Sequence, residues 1–226
     1  MTDFLVTGAT DSQARAPATI LLAHGAGGPM DSAAMDAIAA AIVAAGFHVA
    51  RFEFCYMAAR RKGLRKPPPR AETVMPEYRA AIDALRKSKG VKGPLIIGGK
   101  SMGGRVASMI ADPMHAEGKI AGLLCLGYPF HPIGKPDQLR TAHLAALKTP
   151  TLIVQGTRDP FGTPGEVAGY KLSKTIEILW LEDGDHDLKP RKSVSGFTAA
   201  DHLQTMAARV AAWSQSTAGG RARVAR

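Results

Sequence analysis

The chain has few cysteines, few aromatic residues and no long apolar run. Two cysteines among 226 residues do not predict the disulfide framework of small secreted domains. No apolar run approaches the roughly 18 residues that a membrane-spanning helix needs. The N-terminal residues also lack the basic and then apolar pattern of a secretory signal. These absences predict a cytoplasmic protein with no membrane partner.

The net charge of +10 is concentrated in two places. One is the basic segment, which we define as residues 60–70, and the other is the C-terminal stretch 217–226. We expect a single α/β domain over residues 1–216 and a disordered basic tail over 217–226. Neither stretch belongs to a recognised nucleic-acid module or alternates with aromatic residues, so no nucleic-acid partner is predicted.

A glycine-flanked serine in the middle of the chain is the most specific motif. Gly99-Lys100-Ser101-Met102-Gly103 follows the apolar run 94–97 and precedes a helical stretch at 105–110. A G-x-S-x-G between a strand and a helix is typical of a nucleophile elbow, in which a strained turn projects the serine hydroxyl. A Cβ at either glycine is expected to collide with a neighbouring element. The competing phosphate-binding loop would need glycine at position 94, which is Pro94.

A second glycine-rich turn follows the predicted strand at 18–23 and reads His24-Gly25-Ala26-Gly27-Gly28. Backbone amides on such a turn, together with the amide that follows the nucleophile, can receive an oxyanion. We therefore predict an oxyanion hole formed by Ala26 and Met102. The dinucleotide-binding alternative fails because its third glycine would fall on Met30. His24, at the strand end, is expected to brace the turn.

Two further predicted strands end in residues that would activate the serine. Asp159 comes after the strand at 151–155, and His186 after the strand at 175–181. Serine becomes nucleophilic when an imidazole accepts its proton and a carboxylate orients that imidazole. Three neighbouring carboxylates leave alternatives open. One of them could replace Asp159 as the acid, or they could shape the loop or tune the pKa of the histidine: Asp183, Asp185 and Asp187. One histidine and no cysteine do not predict a zinc site, so no metal is expected.

Apolar strands alternating with helices predict an α/β fold with a mostly parallel sheet covered on both faces.

Residues 127–150 offer too little chain for a large lid, which disfavours a long-chain lipase and favours a shallow, open site. The basic segment leaves the carboxyl end of a predicted strand at 47–54, where such sheets bind ligands. The candidate substrate-binding residues, some of which would select an anionic group, are Met30, Arg60, Arg61, Arg65 and Tyr128.

Assembled, these motifs resemble the small α/β hydrolases of the dienelactone-hydrolase-like group. The chain is more closely similar to the family whose nuclear relatives include a hydrolase-like subunit of a histone-acetyltransferase complex. The resemblance implies an α/β-hydrolase fold with Ser101 as nucleophile, Asp159 as acid and His186 as base. The expected activity is hydrolysis of a small ester or thioester without a cofactor, and the alternative is a non-catalytic scaffold or binding protein. The matching stretches are 24–32, 51–54 with the basic segment, 98–105, 155–162 and 184–188.

Overall fold

A computed structural model of the chain describes residues 3–8, 18–64, 66–88, 91 and 93–224. Seven strands form one sheet in the order β1-β3-β2-β4-β5-β6-β7. They are β1 (Phe4–Thr7), β2 (Thr19–Ala23), β3 (His48–Phe52), β4 (Leu95–Lys100), β5 (Gly122–Leu126), β6 (Thr151–Gly156) and β7 (Ile176–Leu181). The helices are α1 (Ala33–Ala44), α2 (Cys55–Arg61), α3 (Met75–Lys87), α4 (Met102–Ala116), α5 (Pro164–Val167), α6 (Lys192–Ser195) and α7 (Ala199–Val224).

Every neighbouring pair of strands from β3 to β7 is parallel, and only the edge strand β1 runs antiparallel to β3. Parallel strands place their carboxyl ends along one edge of the sheet, so the turns after β2, β4, β6 and β7 meet there. This edge is where the predicted catalytic motifs lie. The predicted α/β-hydrolase architecture is confirmed.

The central strands are buried on both faces because successive side chains point to opposite sides. Leu21 of β2 packs in one apolar cluster, whereas Ile20 and Leu22 pack in the other. Helices α3 and α4 cover the first cluster, with Tyr78 and Ile110 among the buried residues. Helices α1 and α7 cover the second, with the side chains Met35, Ile38, Ile42, Met206, Val210 and Trp213.

The structure differs from the predicted elements in several places, of which those that bear on the site and the tail follow. The basic segment begins inside α2, a helix that the sequence pattern did not predict, and the helix predicted at 137–147 is only a 3₁₀ turn, Ala142–Ala146. The last helix continues past its predicted end at about residue 214 to Val224, so residues 217–224 of the predicted disordered tail have a helical backbone. Residues 225–226 lie outside the described residues.

Cys125 is fully buried in the sheet, as its apolar surroundings predict, whereas Cys55 is exposed at the start of α2. None of the helices in the described part of the chain combines the length and the hydropathy that crossing a bilayer would require.

Candidate active site

Ser101 sits in the turn between β4 and α4 with φ 51° and ψ −114°, a backbone conformation that side-chain-bearing residues rarely adopt. A Cβ at Gly99 or at Gly103 would each lie 2.4 Å from the carbonyl oxygen of Ala23. Both glycines are therefore required for the turn to pack against β2, as the motif predicts. The strain at Ser101 projects its hydroxyl beyond the carboxyl edge of the sheet.

The three predicted catalytic side chains form one hydrogen-bonded chain. His186 Nε2 lies 2.9 Å from Ser101 Oγ, and His186 Nδ1 lies 2.8 Å from Asp159 Oδ2. These distances are those of a base placed to accept the serine proton while its other nitrogen donates to a carboxylate. Ser101, Asp159 and His186 come from three separate turns, after β4, β6 and β7.

Asp159 is fully buried and its carboxyl group is held by several donors. Gln155 Nε2 donates to Oδ2 at 2.9 Å, and the Phe161 amide donates to Oδ1 at 2.9 Å. The same Gln155 side chain accepts a hydrogen bond from the Tyr128 amide at 2.7 Å. Because the carboxyl group has these fixed partners, it can hold the imidazole of His186 in one orientation. The Phe161 ring, 4.3 Å from the His186 ring between centroids, limits its rotation from another side.

The carboxylates near His186 have other partners. Asp183 accepts from Arg191 and forms an ion pair with Arg158 at 2.8 Å, and these arginines hold its pKa well below the ordinary value. Asp185 accepts from the amides of residues 187 and 189, both within 2.9 Å, so it shapes the loop. Of the roles left open, loop shaping is the one that these contacts support for Asp183 and Asp185.

Asp187 joins the histidine loop to the nucleophile strand. Its Oδ1 lies 3.1 Å from the ammonium of Lys100, which precedes Ser101 and is almost entirely buried. Burial lowers the pKa of Lys100, and the negative charge of Asp187 opposes that shift. The pair therefore ties together the two turns that carry Ser101 and His186.

His24 braces the glycine-rich turn, as predicted. Its ring is buried, its Nε2 accepts from the Phe54 amide at 3.2 Å, and its Nδ1 therefore donates to the Gly25 carbonyl at 2.7 Å. Burial lowers the pKa of His24 below its ordinary value, consistent with a neutral ring in this pattern. The Tyr56 hydroxyl donates to the Ala26 carbonyl at 3.1 Å and fixes the turn from its outer side.

A cleft of about 460 Å³ opens over the serine hydroxyl. Ala26, Ser101 and Met102 all line it, so both predicted oxyanion donors border the space in front of the nucleophile. Neither the Ala26 nor the Met102 amide donates a hydrogen bond to any residue that the structure describes. Two backbone donors beside a nucleophile, without another acceptor, can receive a developing negative charge.

A family model described as an alpha/beta hydrolase domain matches residues 16–215. The chain belongs to the alpha/beta hydrolase family. Est1E from Butyrivibrio proteoclasticus superimposes on this hydrolase with a TM-score of 0.69 at 13% identity, over 96% of this chain and 95% of that one. A dienelactone hydrolase from Anabaena variabilis gives a TM-score of 0.67 at 18% identity, over 94% and 90% of the two chains. At these identities the likeness concerns the fold.

A serine hydrolase without a lid from Xanthomonas campestris gives a TM-score of 0.60 at 18% identity, covering 83% of this chain and 81% of that one. In the present hydrolase, residues 127–150 contain only the 3₁₀ turn at 142–146 between β5 and β6. The sequence analysis predicts no large lid because this segment is short, and the structure agrees with that prediction.

Three of the five predicted substrate-binding residues lie outside the cleft at Ser101 and form contacts with other residues. Arg61 pairs with Glu53 at 2.8 Å and with Asp31 at 2.6 Å, and Met30 donates its amide to the same Glu53 at 3.1 Å. Arg60 donates to the Lys66 carbonyl at 2.8 Å. None of these three side chains lines the cleft at Ser101.

Tyr128 is fully buried, and its hydroxyl donates to the Arg140 carbonyl at 3.1 Å. It supports the wall of the cleft from behind and does not line it. Arg65 lies outside the described residues, so its role stays a prediction.

Sequence reasoning did not single out the charged residues that line the cleft of this hydrolase, namely Arg70 at the end of the basic segment, Glu72, Arg105 and Arg140. Arg105 had a signal, because it lies four residues after Ser101 on the helix that starts at the elbow. The sequence carries no such signal for Arg140, because this residue lies in an irregular segment whose position depends on contacts with Phe130 and Tyr128. Within the described parts of the chain, no group of three or more His, Cys, Asp or Glu side chains is placed to hold a metal ion.

Proposed function

We propose that this hydrolase cleaves an ester or thioester bond of a small substrate through an acyl-enzyme on Ser101. The observation that carries the proposal is the continuous hydrogen-bond chain from Ser101 Oγ through the imidazole of His186 to the buried carboxyl group of Asp159. A cleft of about 460 Å³ above Ser101, with no large lid, suits a small acyl group.

In the first step, His186 Nε2 takes the proton of Ser101 as Oγ attacks the carbonyl carbon of the substrate. The carbonyl oxygen becomes an oxyanion, which the amides of Ala26 and Met102 stabilise at roughly 3 kcal/mol for each donor. The protonated imidazole then donates its proton to the departing alkoxide or thiolate, and the acyl group stays on Ser101. Water enters, His186 takes its proton, and collapse of the second tetrahedral intermediate releases the carboxylic acid and restores Ser101.

The test is labelling of the purified protein with a fluorophosphonate and turnover of short p-nitrophenyl esters. Ser101→Ala is expected to abolish labelling and to lower kcat by at least about 10⁴-fold, because no nucleophile remains. Ser195→Ala is the matched control and should leave both signals unchanged, since Ser195 is a partly exposed residue of α6 that does not line the cleft. Labelling that persists in Ser101→Ala would refute Ser101 as the nucleophile.

A folded wild-type protein that neither reacts with the probe nor hydrolyses the esters would instead favour a non-catalytic scaffold. The resemblance to a family with a hydrolase-like subunit of a histone-acetyltransferase complex suggests such a scaffold role.

A further inference from the structure

The cleft that contains Ser101 carries more positive than negative charge. Three arginines and one glutamate line it, namely Arg70, Arg105, Arg140 and Glu72, which leaves two positive charges in excess. Such an excess at a reaction site attracts anions and raises their local concentration. The excess lies beside the nucleophile, in contrast to Arg61, which Glu53 and Asp31 neutralise outside the cleft.

Arg105 is held close to Ser101 by the helix that follows the elbow. Its amide donates to the Ser101 carbonyl at 3.0 Å, which places the two residues one helical turn apart, or about 6 Å along the axis. One guanidinium nitrogen of Arg105 pairs with Glu72 at 2.6 Å, and its Nε is buried with no hydrogen-bond acceptor among the described residues. The side chain of Glu72 is half exposed, so this ion pair leaves Arg105 with unused donor capacity.

The Arg140 guanidinium has no hydrogen bond or ion pair with any residue in the described ranges, although the residue is only partly exposed. Its backbone is held firmly, because its amide donates to the Phe130 carbonyl at 2.7 Å and its carbonyl accepts from Tyr128. Burial lowers the pKa of Arg140 below its ordinary value, and the positive charge of Arg105 lowers it further. Two neighbouring guanidinium groups that repel each other would both be stabilised by a shared anion.

We propose that Arg105 and Arg140 form an oxyanion-binding subsite beside Ser101, with Arg70 at its rim, and that the preferred ester or thioester substrate carries a carboxylate or phosphate group. The selectivity for esters rests on the hydrolase function proposed above. Planar guanidinium groups bind carboxylate and phosphate oxygens through paired hydrogen bonds, so either group fits this chemistry.

The experiment compares p-nitrophenyl esters whose acyl chains have equal length and end in a methyl ester, a carboxylate or a phosphonate. The wild type is expected to show a kcat/KM about tenfold higher or more for at least one charged ester, because a charged hydrogen bond contributes more than a neutral one. Which charged ester is faster identifies carboxylate or phosphate as the natural group.

Arg140→Gln and Arg105→Gln should each lower kcat/KM for the charged ester more than for the neutral ester, so that most of this preference is lost. Arg140→Lys should keep part of it because the charge remains. Arg209→Gln is the matched control, since Arg209 pairs with Glu177 on the far side of the molecule and should leave the preference unchanged. Equal use of charged and neutral esters by an active wild type would overturn the subsite.

A binding measurement separates this proposal from the proposed catalysis. Calorimetry with Ser101→Ala measures binding of the corresponding free dicarboxylic and phosphonocarboxylic acids without requiring any turnover. Saturable binding that weakens about tenfold in the Ser101→Ala, Arg140→Gln double variant would support the subsite even if no ester were cleaved. Absence of binding, or binding unchanged by the second substitution, would overturn it even if Ser101 proved to be the nucleophile.

Discussion

Two regions at the carboxyl edge of the sheet concentrate arginine but use it differently. In the first half of the basic segment, residues 60–66, Arg61 is neutralised by Glu53 and Asp31. In the cleft, by contrast, Arg140 has no carboxylate partner among the residues described, and Arg105 has only a half-exposed one. The charge of Arg61 is therefore neutralised, whereas that of Arg140 stays available in the cleft.

The difference follows from what each region has to stabilise. Glu53 has a side chain only 5% exposed, and a carboxylate that is so buried requires a fixed cation and a backbone donor. Arg61 and the Met30 amide supply them, so these residues belong to the support of the turn after β2. The arginines of the cleft border about 460 Å³ of open space and have no such structural duty that would occupy all their donors.

The largest expected effect tests whether Asp159 alone orients the histidine. Asp159→Asn should lower kcat by about 10⁴-fold, because an amide favours the wrong tautomer of His186 while keeping the shape of the carboxyl group. Ester hydrolysis by the purified variant measures it. Asp185→Asn is the control: its remaining oxygen can still accept from the loop amides, and its rate should stay within about threefold of wild type. An equal loss in both variants would contradict the assignment of Asp159.

The next effect compares a glycine from each region. Gly103→Ala should lower the free energy of unfolding by about 1 to 3 kcal/mol, because the new Cβ would lie 2.4 Å from the Ala23 carbonyl oxygen. Gly63→Ala in the basic segment meets no atom within 4 Å, but its φ of +80° disfavours alanine by about 1 kcal/mol. Urea denaturation of both variants gives the comparison. A Gly63 variant that is the less stable of the two would show that the elbow tolerates a side chain.

Removing a basic residue from the neutralised region should affect stability and not substrate choice. Arg61→Gln should lower the free energy of unfolding by about 1 kcal/mol, because the exposed guanidinium stabilises the buried carboxyl group of Glu53. The ratio of kcat/KM for charged and neutral esters should stay at the wild-type value. A changed ratio together with wild-type stability would place substrate contacts at Arg61 after all, as the basic segment alone suggests.

The smallest effect concerns two histidines, the buried His24 in the turn after β2 and the half-buried His143 in the 3₁₀ turn at 142–146. Burial lowers the pKa of both His24 and His143, so the unfolded chain takes up protons first as the pH falls below 6.5. Their contribution to stability is complete above that pH and decreases in acid. Denaturation should show a lower free energy of unfolding at about pH 5.5 than at about pH 7.5. This difference should become smaller in His24→Gln, which keeps an acceptor for the Phe54 amide. If the free energy of unfolding falls by the wild-type amount in both His24→Gln and His143→Gln, other residues cause the acid sensitivity.

Much of the fold and the core of the site could be predicted because the relevant signals are local. Glycine spacing around Ser101 reports a turn that only small residues permit, and the order of apolar runs indicates where each strand ends. Since parallel strands end at a common edge, the ends of β4, β6 and β7 bring Ser101, Asp159 and His186 together without any knowledge of loop paths.

The substrate-facing residues could not be predicted in the same way. Arg60 and Arg61 are adjacent in a conspicuous basic run, yet both lie in α2 and neither lines the cleft, whereas Arg70 at the end of the same run does. Tyr128 follows a strand end that faces the site, but its ring is fully buried and its hydroxyl donates to the Arg140 carbonyl. Whether a side chain reaches a cleft depends on loop paths and long-range partners, and neither has a regular period in the sequence.

The amino-acid sequence alone determined that this chain forms an alternating strand and helix architecture with a serine on a strained, glycine-flanked turn, because short-range sterics and periodic burial dictate both. Only the tertiary structure decided which charges remain available beside that serine. Electrostatic neutralisation depends on the distance between groups far apart along the chain, such as Arg61 and Asp31, and that distance is set when the chain packs.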